Sequence, residues 1–386
     1  MAGRVAPFID NTGLVFAYDQ ANIVRSYLGE PTVNIATNTP SLGGWPGSYT
    51  VVDSDTKTFD FTTSTVEWGG DASWTTFYYN VSAYTGQYVT ISATFEYASD
   101  PNKFNFLWIG QTSGSETYLG YSSEADRNQK STDDREDISW SGVIGSGGKV
   151  GILIWMSNGN STTVTARISN IQVEVKSHKT PFTTGTRSVT QGLKDLTGRS
   201  TIDLTNVSFD SNAQMTFDGT DDYAALSGFV QPSNPNNFSV EAVVKLSSHN
   251  AGTNIGSVIV NNYSSLRGWI FFLNGPSSFL GLRHHNESNP GGYNVVYGTG
   301  INLNQWYHIA ATDDGTTVRL YINGVQVTSG SSGPSINFAG QPIIGQFGGG
   351  NAVTNGSIPY VRIFDRALPA SEIQQNFNAI KGRYGL

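Results

Sequence analysis

Apolar and polar residues alternate with a period of two along most of this chain, the pattern of half-buried strands. In residues 88–95, Val89, Ile91, Ala93 and Phe95 fall on one face. Residues 162–168 repeat the pattern, and residues 171–175 repeat it again. Farther on, residues 238–246 and 318–322 read as strands; Asn323-Gly324 and residues 325–327 follow the second. Asn-Gly between two such runs predicts a tight hairpin, because both central residues of a type I′ turn need positive φ. Only residues 368–380 show helical spacing, with Ile373, Phe377 and Ile380 on one stripe. Pro369 and Ser371 suit the first turn, Glu372 the positive end of the dipole, and Lys381-Gly382 predicts the end. Strands joined by short turns, with one short helix, predict an all-β chain of sandwiches or jelly rolls.

A length of 386 residues allows two or three domains. Charged residues make up 13% and aromatics 12%, which suits packed β-structure with many turns rather than disorder. A net charge of −8 argues against a nucleic-acid partner, which needs clustered Lys and Arg. No run reaches the ~18–20 apolar residues of a membrane span, so no membrane insertion is expected. Cysteine is absent, which removes disulfides and thiolate chemistry. Residues 1–8 hold no apolar run behind Arg4, so no signal peptide is expected. Either a leader has been removed, or the protein is made in a cytoplasm and released by another route.

Three segments carry a family resemblance. Residues 217–223, Phe-Asp-Gly-Thr-Asp-Asp-Tyr, form a strand-turn element. Trp306-Tyr307-His308-Ile309-Ala310 leads into the 318–327 hairpin, and residues 361–368 lead into Ser371-Glu372-Ile373. In this order the segments resemble the concanavalin A-like lectin/glucanase (laminin-G-like) superfamily. That resemblance implies a β-sandwich in which Trp306 faces the core between the sheets and the terminal helix covers an open end. Residues 13–22, Gly-Leu-Val-Phe-Ala-Tyr-Asp-Gln-Ala-Asn, resemble the family's opening strand, yet its continuation waits until Asp195-Leu196-Thr197-Gly198. The expected arrangement is a discontinuous lectin-like sandwich, 1–32 plus 184–386, holding an inserted jelly-roll β-sandwich at 33–183. A plain tandem with a short N-terminal arm is the alternative.

The insert ends in Ile168-Ser169-Asn170-Ile171-Gln172-Val173-Glu174, then Thr180-Pro181-Phe182. This is similar to the last strand and exit of jelly-roll modules of the carbohydrate-binding type, an exit frequent in phage structural proteins. The tail 376–385 resembles the ends of bacteriophage virion proteins that carry a lectin-like domain.

Glucanases of the superfamily carry Glu-x-Asp-x-x-Glu on one strand, which aims three carboxyls into one cleft. Glu124-Ala125-Asp126 begins that pattern, but Gln129 stands at the second glutamate. Residues 133–137 are acidic without alternation, which reads as a solvated loop. No Gly-x-Ser-x-Gly elbow is present. His308 reads as a satisfied core or edge histidine, and His284-His285 as neighbours on opposite faces, unable to share a metal. No catalytic residue is assigned, and no enzyme is expected.

Binding readings remain. The resemblance puts Asp218 and Asp222 where relatives hold Ca²⁺, although an Asp beside a Gly turn also caps amides without metal. Sugar binding needs exposed aromatics with polar neighbours. Trp68, Trp74, Tyr78 and Tyr79 crowd together in the insert. Arg283 and His285 point outward opposite Leu280 and Leu282, with Trp269 on a neighbouring strand. Core packing or an oligomer interface competes at each aromatic. The resemblances imply a non-enzymatic virion surface protein, a capsid decoration or fibre-like appendage. Its expected partners are other virion structural proteins, copies of itself and surface glycans. A bacterial carbohydrate-binding module or adhesin is the alternative, and a glycoside hydrolase the third reading.

Overall fold

The computed structural model describes residues 11–20, 25–44, 47–64, 73–99, 104–111, 127–130, 136–156, 163–210, 214–232, 234, 236–249, 256–265, 267–274, 279–286, 289–298, 301–333, 340–347 and 352–386. Two compact units divide the chain: Met1–Glu30 with Val189–Leu386, and Pro31–Ser188. Among the described residues, no helix is long and apolar enough to cross a membrane.

The larger unit packs an eight-stranded antiparallel sheet against a seven-stranded one. The first sheet runs Ser208–Phe209, Met215–Asp218, Asn355–Phe364, Phe238–Ser248, Tyr307–Asp313, Thr317–Ile322 and Val325–Ser331, with Leu14–Asp19 also paired to Asn355–Phe364. The opening strand is thus stitched to one more than three hundred residues away, Leu14 facing Phe364 and Asp19 facing Tyr360. Asp195 explains the delayed Asp-Leu-Thr-Gly element. Its carboxylate accepts the amides of Ala17, Thr197, Arg199 and Ser200, so one side chain closes a turn and ties it to the first strand. The predicted hairpin is present, with Asn323 at φ 49° and Gly324 at φ 78°.

Strand Phe238–Ser248 is buried on both faces because the helix covers the outer one. Helix Ala370–Tyr384 sets Ile373, Asn376, Ile380 and Tyr384 against the sheet. Phe377 lies over the hairpin turn, where a Cβ on Gly324 would meet its ring at 2.9 Å. The turn therefore needs glycine for its φ and for the close approach.

Two expectations need correction here. The helix does not stop at Lys381-Gly382 but runs to Tyr384, ended by Gly385 in the left-handed conformation. A helical Gly costs about 1 kcal/mol. Continuing past it buries Tyr384 beside Tyr360 and lets Arg383 pair with the Asp19 carboxylate. Trp306, in turn, does not enter the core between the sheets. It packs on the helix-covered face with Tyr384, at 5.5 Å between ring centres, under the Lys245 amine.

The smaller unit is a sandwich of two five-stranded antiparallel sheets. Its core joins Phe77, Tyr79 and Ile152 of one to Phe61, Ile91 and Ile138 of the other. Its ends pair with each other, Thr32–Val33 against Thr186–Arg187, so the segment enters and leaves at one place.

The runs at 162–168 and 171–175 are one strand, Thr163–Glu174, interrupted by a bulge between Ser169 and Gln172. Ile168 and Ile171 both stay in the core. The extra residue is taken up by Asn170 at φ 53°, a conformation asparagine tolerates. Beyond the bulge, buried Glu174 accepts hydrogen bonds from Thr32 Oγ1, Gln172 Nε2, and the Thr180 amide and hydroxyl at 2.7–2.9 Å. Gln172 also accepts the Thr183 amide at 2.7 Å, and Asn34 Nδ2 donates to the Thr183 carbonyl at 2.9 Å. These bonds hold the strap 176–183 in place, which accounts for the Gln-Val-Glu…Thr-Pro-Phe pattern.

Candidate functional site

Strands Met215–Asp218 and Tyr223–Ser227 are joined by a turn that opens at Gly219, φ 84°. Asp222 accepts the Asp218 amide and Asp218 accepts the Thr220 amide, both at 2.7 Å, so the carboxylates cap the turn. Carboxylate oxygens of Asp218, Asp221 and Asp222 also lie within 4.8 Å of one another. Burial, helped by the charges of Asp218 and Asp221, pushes the Asp222 carboxyl up to about 6 against the amide's opposing effect.

Three hard oxygen donors this close fit a calcium ion, and a divalent charge would relieve their repulsion. Asp221 was missed because the resemblance points to Asp218 and Asp222 alone, and the turn brings the third carboxylate beside them. Calcium at tenfold its Kd should add about 1.4 kcal/mol, roughly 3–5 °C in the melting of this unit. The gain should shrink below pH 6 as Asp222 protonates. Calorimetry with Ca²⁺ and then with EDTA checks it, and identical melting curves remove calcium from the site.

The aromatic expectations divide. Trp269 is not a sugar platform: it is 1% exposed and stacks on Phe238 at 5.1 Å inside the sandwich. Its strand, Gly268–Asn274, is apolar on both faces, so alternation could not say which way it pointed. Arg283 and His285 do share the opposite face of strand Phe279–Asn286, but His285 is only 5% exposed. Tyr263 covers it edge-on at 4.7 Å, and Phe347 lies 4.9 Å beyond Tyr263. Tyr263 and Phe347, both partly buried and with Tyr263 against His285, are thus the ring surface that the sequence reading missed.

In the smaller unit, Tyr78 is half-buried with the Lys149 amine 4.8 Å above its ring, so its face is already capped. Trp74 lies on strand Ser73–Asn80 opposite Trp155. Trp68 lies outside the described residues, as do Glu124, Asp126 and residues 131–135. Glu136 and Asp137 begin a strand, Glu136–Val143, rather than a loop.

His284 and His308 are buried, and burial favours their neutral form. His284 points inward, 3.5 Å from Asp313, while His285 points outward. Burial, with His285 beside it, lowers His284 to about 4. His308 is in the core as expected but not satisfied: its ring nitrogens have no hydrogen-bond partner among the described residues. The nearest carboxylate, Glu241, is 3.9 Å away, and burial lowers His308 to about 3. Asn376 Nδ2 donates to both Glu241 oxygens at 3.0 and 3.1 Å. Burial pushes Glu241 up to about 7 against that bond and the nearby Arg362.

Residues 218–374 match the family model of the concanavalin A-like lectin/glucanases superfamily. This part of the chain is similar to a concanavalin A-like lectin/glucanase domain. The matched span begins at the acidic turn and ends within the helix. No curated protein matches the sequence.

Among solved structures, domain 4 of AbnA, a GH43 extracellular arabinanase from Geobacillus stearothermophilus, in complex with arabinotriose, is similar at 20% identity. Its TM-score is 0.36, over 46% of this chain and 81% of that one. The botulinum neurotoxin serotype D binding domain is similar at 16% identity and TM-score 0.41, over 48% and 49%. The chain therefore spans about half of that domain's length. The Ruminococcus gnavus IT-sialidase CBM40 bound to alpha2,3 sialyllactose gives 15% identity and TM-score 0.33, over 37% and 83%.

Proposed function

We propose that this chain is a non-catalytic attachment protein that binds glycans. The observation that carries the reading is the lectin/glucanase domain at 218–374 in a chain with no Glu-x-Asp-x-x-Glu segment. Such a sandwich retains a sugar-binding scaffold without the paired carboxyls that hydrolysis needs. Assembly as a homo-oligomer belongs to the proposal, because repeated weak sites gain avidity without new contacts. A glycan array probed with the full chain tests the reading: selective retention of a glycan class supports it. Hydrolysis of a bound oligosaccharide, followed by reducing-end release, would turn it toward the glucanases.

A second reading places the protein on a bacteriophage particle, joined to other virion proteins. The tail sequence 376–385 favours it. The same residues also have packing roles: Asn376 on Glu241, Arg383 on Asp19 and Gly385 as the helix cap. Mass spectrometry of purified particles tests the placement. Finding the chain there supports it, whereas a gene neighbourhood of secretion or polysaccharide degradation favours a bacterial adhesin.

A further inference from the structure

The smaller unit holds a cavity of about 300 Å³ on the polar face of its sheet. Small-molecule sites begin near this size, roughly 300–1,000 Å³. Ser92 and Thr94 form its floor, on the face opposite the core residues Ile91, Ala93 and Phe95. The bulge in Thr163–Glu174 supplies one wall. It puts Asn170 beside the floor, its Nδ2 3.5 Å from Thr94 Oγ1. The strap supplies the other wall with Lys179, Pro181 and Phe182. Buried Glu174 and Gln172 fix that strap from beneath, so the wall is formed before any ligand arrives.

The lining selects a ligand class. Asp137 accepts the Thr94 hydroxyl at 2.6 Å and the Lys179 amine at 3.2 Å, and the charges of Asp137 and Lys179 offset each other. Lys179 and Asp137 keep 38% and 64% of their side chains exposed, so their pair is weak and can open. An anionic ligand would meet Asp137. A fully apolar one would strip water from Ser92, Thr94 and Asn170 without replacing the hydrogen bonds. A neutral polyol with one apolar face meets neither cost: its hydroxyls can pair with the carboxylate, amide and amine, and its C–H face can lie on Phe182.

We propose that this cavity binds one neutral hexopyranose unit of a glycan, separately from the lectin-like domain. The inference rests on the glycan-binding reading above and gives it a second site in the chain. Phe182 and Pro181 form the stacking wall; Asp137, Asn170 and Lys179 take the hydroxyls.

Isothermal titration of the full chain with cellotriose, maltotriose, mannotriose and galactotriose tests this. It compares the wild type with Phe182→Ala, Asp137→Asn and Asn170→Gly. Asn170→Gly keeps the backbone unstrained, because glycine accepts the positive φ. Thermal melting confirms that each variant is folded. The proposal expects one of these sugars to bind and each variant to lose at least about tenfold of that affinity. Wild-type binding that survives all three substitutions within twofold overturns the cavity site and leaves glycan binding to the lectin-like domain. Absence of wild-type binding to all four sugars also overturns the cavity site, while the broader reading then stands or falls on the array.

Discussion

Trp269→Ala should destabilise the larger unit by about 3–5 kcal/mol, the range for emptying an aromatic site in a packed core. Trp269 is 1% exposed and lies in the main cluster of this unit, stacked on Phe238 at 5.1 Å. Its amide donates to Asn262 Oδ1 at 2.9 Å, which fixes the strand beside it. Loss of the ring would leave a void between two sheets that relax only partly. Denaturant titration checks the magnitude, with hydrogen exchange of the Gly268–Asn274 amides assigning the transition to this unit. A variant as stable as wild type that no longer bound glycans would restore Trp269 as a sugar platform.

Glu241→Gln should stabilise the same unit above pH 7 by about 3 kcal/mol and change little near pH 4.5. An unfolded chain releases the Glu241 proton near 4.5, whereas burial in the fold holds it to about 7. Between those values the folded state binds the extra proton, so this residue's contribution falls as pH rises. Each pH unit between the two values corresponds to about 1.4 kcal/mol, and the window is wider than two such units. His308, lowered to about 3, has the opposite slope: its contribution is lost as pH falls below the unfolded value of 6.5. It titrates in both proteins, so the difference between them isolates Glu241.

The amide also suits the site. Asn376 Oδ1 and the His308 ring nitrogens are buried without partners among the described residues, so a new N–H at 241 meets acceptors. Paired unfolding curves at pH 4.5 and 8 settle the matter, and a constant difference between the two proteins would refute the account. The sheet beneath the terminal helix would then be more stable in mildly acidic than in alkaline solution as far as Glu241 alone is concerned.

The acidic turn and the aromatic positions show where reading the chain stops. Asp218 and Asp222 were legible because residues 217–223 resemble the family's strand-turn element, and both carboxylates do cap that turn. Tyr263 and Phe347 carried no such signal: they lie 84 positions apart and are brought together by the fold. The cavity wall at Asn170 depends on a bulge whose extra residue is visible only once the strand is paired.

Local sequence by itself determined the strands, the Asn323-Gly324 hairpin and the helix. Each depends on a two- or 3.6-residue period, or on a φ that few residues accept. Tertiary structure alone decided which way a side chain points where a strand is buried on both faces. In Gly268–Asn274 and Phe238–Ser248 both faces are covered, by the opposite sheet on one side and by the helix or outer segments on the other. Where both faces are apolar, alternation has no sign. The direction of Trp269, the place of Trp306 beneath the helix, and the gathering of Thr94, Asp137, Asn170 and Phe182 follow only from strand register and long-range packing.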